Sequence, residues 1–328
     1  MTKGPEIISL KTPEERRRAL AGATRAILAG DPVAIPTETV YGLAADAAND
    51  RAVARIYEAK GRPAFNPLIV HVADIDMARE FGEFSRVAET LAVAFWPGPL
   101  TLVLPRTSRC GLSLLVSAGL ETIALRAPRS AFAQELIRSA GRPLAAPSAN
   151  ASGSISPTSA EHVRESLGGR IGLIIDGGPC GVGVESTIVK VEGERVTLLR
   201  PGGIARAEIA RVAGRALEAP APHAIEAPGM MQSHYAPRAP LRLGAAEQRQ
   251  DEAFLGFGKI AGRPGAALNL SAAGDLVEAA ANLFSHLRAL DALCAEKGLA
   301  GIAAAPVPDE GLGEAINDRL ARAASPRD

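Results

Sequence analysis

Residues 36–72, PTETVYGLAADAANDRAVARIYEAKGRPAFNPLIVHV, decide how the chain reads. Just ahead of them, residues 33–37 (VAIPT) are an apolar run entering a turn at Pro36, the pattern of a buried strand. A loop rich in hydroxyls follows, with Thr37, Glu38, Thr39 and Tyr41. Asp50 is placed to cap a helix through RAVARIYEAK, and Gly61 is placed to end it. After Pro67 the β-branched run LIVHV reads as a further strand, with His71 inside it. Lys60 and Arg62 therefore stand in a helix-to-strand connection stiffened by Gly61 and Pro63. Strand and helix alternate with Gly and Pro punctuation, which predicts an α/β (α+β) fold.

The same alternation extends outward in both directions. Residues 13–29 read as a helix with proline at its first turn, and Ser85 opens another that ends at the WPGP turn of residues 96–99. Strands are expected at LTLVLP (100–105), TIALRAP (122–128) and IGLIID (171–176), and a hairpin at 186–200 with its tip at Glu192-Gly193-Glu194. After a helix ending near Ala213, residues 216–240 are proline-rich and lack periodicity, as an extended linker would be. Beyond it, LRLGA, DEAFLGFG, a long amphipathic helix over 275–298, GIAAAPV and a last helix over 313–324 form a small α/β unit. The expected division is 1–215, a linker over 216–240, and 241–328.

Composition narrows the function. Lys plus Arg and Asp plus Glu both number 36 in 328 residues, so no global basic field exists to gather nucleic acid or an anionic membrane. Small-molecule chemistry fits better. Cys110, Cys180 and Cys294 are odd in number and form no CxxC pair, which argues against a disulfide framework and a zinc site and for a reducing cytoplasm. The N-terminus lacks an apolar signal core, and no uncharged apolar run is long enough to span a bilayer. There is no GxxxxGK[ST] loop, no GxGxxG fingerprint and no HExxH, so any ATP site is of another kind.

Several segments carry polar chemistry at strand ends. Lys60 and Arg62 make a natural polyphosphate clamp, although a solvated basic loop has the same composition. His71 is either a satisfied core histidine or a substrate contact. Arg126 closes an apolar strand and requires an anion, from the protein or from a ligand, because an unpaired buried guanidinium is costly. Residues 145–153 (AAPSANASG) bring small side chains to a strand exit, where backbone can approach a nucleotide. Thr158 with Glu161 three residues on predicts a capping box. Residues 176–187 form a glycine-rich loop whose amides suit an anion.

The ordered segments PTETVYGL, KGRPAFNPLIVHV, WPGPLTLVL, ALRAP, AAPSANASGSISPT, GVESTIV and LLRPGG closely resemble the YrdC-like domain of threonylcarbamoyl-AMP synthases, from about Ile7 to Gly214. The segment PGMMQSHYAPRAP and the C-terminal unit look like the linker and second domain of that enzyme's long form. The resemblance implies a YrdC-like twisted mixed sheet flanked by helices. It also implies cytoplasmic synthesis of L-threonylcarbamoyladenylate and pyrophosphate from L-threonine, bicarbonate and ATP with Mg2+. The product would pass to a separate tRNA-modifying transferase complex, and the synthase itself need hold no nucleic acid. Carried over by position, threonine contacts fall on Thr39, His71, Arg126, the backbone at Ala146, and Ser186. Nucleotide contacts fall on Lys60, Arg62, Asn66, Thr122, Ser148, Ser156, Arg200 and Tyr235, with Lys60 and Arg62 catalytic. No residue is implied as a metal ligand. Ala44 stands where the family commonly has glycine, and MMQSH replaces a more basic segment. Two other readings share the fold: a noncatalytic RNA-binding module, which requires a basic patch, and a hydrogenase-maturation carbamoyltransferase, which carries CxxC zinc-finger segments absent here.

Overall fold

The computed structural model describes residues 4–221, 225–259 and 266–326, so residues 222–224 of the expected linker lie outside the described residues. Its first sheet has ten strands: β1 (Glu6–Ser9), β2 (Val33–Ile35), β3 (Gly42–Asp46), β4 (Ile69–His71), β5 (Leu100–Pro105), β6 (Thr122–Arg126), β7 (Leu144–Ala145), β8 (Leu173–Asp176), β9 (Thr187–Glu192) and β10 (Arg195–Arg200). They lie in the order β1-β8-β2-β3-β7-β4-β6-β5-β9-β10. The sheet is mixed. β4 runs parallel to β6 and β5 parallel to β9, whereas β3–β7, β4–β7 and β5–β6 are antiparallel.

Strand alternation divides this sheet chemically. Val70 and Leu125 point into the main apolar core with Leu43, Ile56 and Leu102. Ile69 and His71, and likewise Ala124 and Arg126, belong by period two to the opposite face. On that opposite face Ile69, Val103, Ala124, Ile188 and Leu199 gather under Ala227 and Met230 of the linker.

Expected helices form where capping chemistry allows. Thr12 and Glu15 make a reciprocal capping box on the helix Pro13–Leu28, and Gly61 ends the helix Asp50–Lys60 in the left-handed region at φ 59°. Two expected caps are displaced by one residue. Asn49, not Asp50, caps the second helix, its Oδ1 accepting from the backbone of Arg51 and Ala52. Ser159 caps the helix Ala160–Leu167, which places His162 and not Glu161 at the third position, so no capping box forms at Thr158.

Two strands of this sheet escaped the sequence reading, β1 and β3, while β7 is the strand whose exit was expected at residue 145. β3 is GLAAD, a run of small residues with low strand propensity, yet every residue of it is buried. Its pairing with β2 and β7 on either side holds it extended.

The second sheet comprises β11 (Leu241–Arg242), β12 (Glu252–Gly256), β13 (Ala267–Asn269) and β14 (Gly301–Ala304), all parallel in the order β11-β14-β12-β13. The helices Leu276–Lys297 and Gly313–Ala324 cover it, with Leu283, Phe284, Leu287, Ile316 and Leu320 in its core. Val40, Ile155, Val184 and Tyr235 join this same cluster, so apolar packing continues from the first unit through the linker into the second. Among the described residues no helix is long and apolar enough to cross a membrane.

Candidate active site

One pocket gathers Thr39, Arg62, His71, Arg126, Ala146, Ser148, Ser186, Arg200 and Tyr235, nine residues scattered over almost 200 positions of sequence. It lies on the face of the first sheet that the linker covers, with Pro228, Gly229, His234 and Tyr235 as its roof. The free space is about 40 Å³, room for a few waters and far below the roughly 300–1,000 Å³ usual for ligand sites.

Arg126 organises one end. It sits directly opposite His71 in the parallel β4–β6 register, and its guanidinium donates to the Gly98 carbonyl at 3.1 Å and to Thr39 Oγ1 at 3.0 Å. The anion it requires is supplied by Glu38, whose Oε1 lies 2.6 Å from Nη2, although the pair is not aligned as a hydrogen bond. Burial raises the Glu38 pKa, but Arg126 and the Arg129 backbone N–H outweigh it, so the carboxyl stays below its ordinary range. From the sequence Glu38 was only a member of the hydroxyl-rich loop after β2, with no partner assigned to it. Its signal was the unpaired charge of Arg126. His71 is buried with neither ring nitrogen hydrogen-bonded, and burial, reinforced by Arg126, depresses its pKa to about 3. A neutral imidazole with two open positions beside a guanidinium suits a polar ligand.

At the other end, Arg62 is clasped by its own loop. Nη2 donates to Asn66 Oδ1 and the Pro67 carbonyl, both at 2.7 Å, and burial lowers its pKa to about 10. Arg200 donates to the Ser186 carbonyl at 2.9 Å and the Pro228 carbonyl at 3.1 Å, tying the hairpin to the linker. The Ser186 hydroxyl lies 2.7 Å from that of Thr101. The Ala146 N–H is taken by the Ile69 carbonyl, which leaves the Ala146 carbonyl for a ligand.

Four expected contacts do not line this pocket. Lys60 is fully buried and its ammonium donates to the carbonyls of Ser148 and Asn150, both at 2.5 Å, so it braces the loop under the site in place of facing phosphate. Burial, with Arg62 and Arg170 nearby, depresses its pKa. Asn66 orients Arg62 and reaches Met231 Sδ at 3.3 Å. The Ser156 hydroxyl donates to Glu185 Oε1 at 2.5 Å. Thr122 shares the face of Arg126 on β6 but stands four residues away at the far end of the strand. His234 of the linker and Glu185 of the glycine-rich loop ahead of β9 also reach the pocket, and neither was assigned a contact from the sequence.

The family model described as telomere recombination matches residues 25–202, and the one described as threonylcarbamoyl-AMP synthase, C-terminal domain, matches residues 204–325. The chain belongs to the threonylcarbamoyl-AMP synthase family. A threonylcarbamoyl-AMP synthase of Bacillus subtilis is 43% identical over 94% of this chain and 93% of its own length. One from Pyrococcus abyssi is also 43% identical, over 91% and 92%. The crystal structure of P. abyssi Sua5 with L-threonine superposes with a TM-score of 0.88 at 38% identity, covering 97% of each chain. Membership in this synthase family makes the chain an enzyme of nucleotidyltransferase type. The crystal structure of full-length HypF in the phosphate- and nucleotide-bound form is similar over 57% of this chain and 30% of its own at 20% identity and TM-score 0.51, a likeness of fold alone.

Proposed function

We propose that the chain joins L-threonine, bicarbonate and ATP into L-threonylcarbamoyladenylate, releasing pyrophosphate, in the cytoplasm and in the service of tRNA threonylcarbamoyladenosine formation. The observation that carries this reading is a single covered pocket with cationic groups at both ends: Arg126 at one, Arg62 and Arg200 at the other. An amino-acid carboxylate suits Arg126, where it would exchange with or share the Glu38 contact, while Thr39, His71, the Ala146 carbonyl and Ser186 offer polar partners to the amine and hydroxyl. The nucleotide suits the Arg62, Arg200 and Ser148 end. Thr122 marks the direction in which it would extend beneath the linker, and Asn66, Ser156 and Lys60 act by holding Arg62, Glu185 and the 148–150 loop.

The chemistry needs no protein nucleophile. The threonine amine adds to bicarbonate with loss of water to give a carbamate. A carbamate oxygen then bonds to the α-phosphorus of ATP as the bond to pyrophosphate breaks. Positioning and charge neutralisation by Arg62 and Arg200 supply the rate. The one carboxylate lining the pocket, Glu185, is already paired with Arg319 at 3.0 Å, so the residues present do not form a magnesium site. Magnesium enters as the counter-ion of ATP, held by phosphate and water. The mixed anhydride hydrolyses readily, which gives the linker roof a purpose.

Incubation with labelled bicarbonate, ATP and single amino acids tests the proposal: pyrophosphate should form only with threonine, together with a labelled carbamoyl adenylate. Turnover that requires carbamoyl phosphate, or salt-dependent RNA binding without turnover, would overturn it.

A further inference from the structure

Among the largest fully buried side chains is a charged one in the second domain, Arg319, 0% exposed on the helix Gly313–Ala324. Its contacts point out of that domain. Nε donates to Glu185 Oε2 at 3.0 Å and Nη1 to the Pro201 carbonyl at 2.7 Å, while the guanidinium carbon lies 5.3 Å from the centroid of the Tyr235 ring. Asp318, 2.8 Å from Nη1, is its one partner on its own helix. Glu185 is held from its other oxygen by Ser156 and lines the catalytic pocket.

A buried ion pair rarely stabilises a fold more than apolar side chains of the same volume would. Arg319 Nη2 is also left without a hydrogen-bond partner among the described residues, so the network is not optimised as structural glue. Tyr235 has φ 62°, a left-handed backbone that a tyrosine keeps only when its surroundings over-determine it. Those surroundings are Arg319 and Phe284, whose ring stacks on Tyr235 with centroids 5.5 Å apart.

We propose that Arg319 is a positioning residue of the active site supplied by the second domain, fixing Glu185 and Ser156 from below and bracing Tyr235 in the closed linker from above. The inference rests on the synthase reading of the pocket. It gives the second domain a part in the reaction beyond carrying the end of the linker: the nucleotide end of the pocket is complete only when this domain is docked. Exchange of one guanidinium therefore alters how ATP is held without touching any atom of it.

The test uses the full chain with Arg319→Gln and Arg319→Lys, with folding checked by circular dichroism and thermal unfolding. Loss of a charge-assisted contact predicts an ATP KM raised by about tenfold in Arg319→Gln, a smaller change in threonine KM, and more pyrophosphate released per adenylate recovered. Arg319→Lys, which keeps the charge and loses the planar fork, should recover only part of the effect. In combination with Tyr235→Ala the effect on ATP KM should be less than additive. Folded Arg319→Gln with unchanged ATP KM and unchanged coupling overturns the proposal, as does strict additivity with Tyr235→Ala. If Arg319→Gln does not fold, Arg319→Lys decides alone: unaltered ATP KM and coupling in that variant overturn the proposal, and a raised KM supports it. A wild-type chain lacking threonine-dependent turnover instead defeats the synthase reading itself, an outcome distinguishable from variants that merely match an active wild type.

Discussion

His71 and Arg126 illustrate what a residue's neighbours decide. Both were visible in the sequence as polar groups within apolar strands, and each admitted a structural or a functional explanation. The structure gives Arg126 a protein anion, Glu38, which would satisfy the structural explanation. Yet it leaves both nitrogens of His71 unpaired in the same buried pocket, a cost that a bound ligand would relieve. Arg126→Gln should therefore raise the threonine KM by about 10- to 100-fold, the worth of a lost charge-assisted bond, with the ATP KM changed far less. Steady-state kinetics with each substrate varied in turn will measure the split. Equal changes in both would remove Arg126 from the amino-acid end. Lys60 shows the reverse case. Its composition suggested a phosphate ligand, but a buried ammonium must find acceptors, and two backbone carbonyls took it.

The linker matters most at the scale of elements. Proline content and missing periodicity marked residues 216–240 as extended, but nothing in them said which surface they would cover. The exposed face of a mixed sheet, with Ile69, Ala124 and Ile188 in need of burial, chose that surface. Gly229 makes the fit tight: its φ is 81°, and an added Cβ would come within 2.7 Å of the Tyr235 hydroxyl and 3.0 Å of Arg200. Gly229→Ala should lift the roof, so that pyrophosphate is released in excess of adenylate recovered. Tyr235→Ala should uncouple the reaction in the same direction. Coupling as in the wild type for both variants, measured as the ratio of the two products, would rule out the linker as a water-excluding lid. Only about 40 Å³ is free beneath it, so on the proposed function a nucleotide would enter only as this element moves.

Two predictions belong to the whole molecule. Burial depresses His71 and His234 to about 3 and His162 to about 4, whereas an unfolded histidine titrates near 6.5. Below that value the unfolded chain binds more protons than the folded one. Stability present above pH 6.5 is thus lost as pH falls toward the folded values, and Glu38 and Glu185, held low by arginines, add their own loss below about 4.5. The melting temperature should decline between pH 6.5 and 4.5, less steeply in His71→Gln; an identical slope would show that His71 does not titrate on unfolding. The domains also meet at close quarters at Gly183, φ 77°, where a Cβ would lie 2.4 Å from the Ala280 carbonyl oxygen on the helix Leu276–Lys297. Gly183→Ala should lower the melting temperature and weaken ATP use together, because it pushes apart the surfaces that seat Tyr235; a variant matching wild type in both would show that this approach can relax.

By itself the sequence determined the local matters: most helices and strands, the linker, the two α/β units, and the polar groups at strand ends, since propensity, capping and periodicity act over a few residues. Only the tertiary structure decided that β3 would be a strand, that Glu38 would meet Arg126, and that Glu185, Arg319 and Tyr235 would converge from residues 185 to 319. Those outcomes come from sheet pairing and from burying one surface against another, forces that depend on distance in space and leave no mark on separation along the chain.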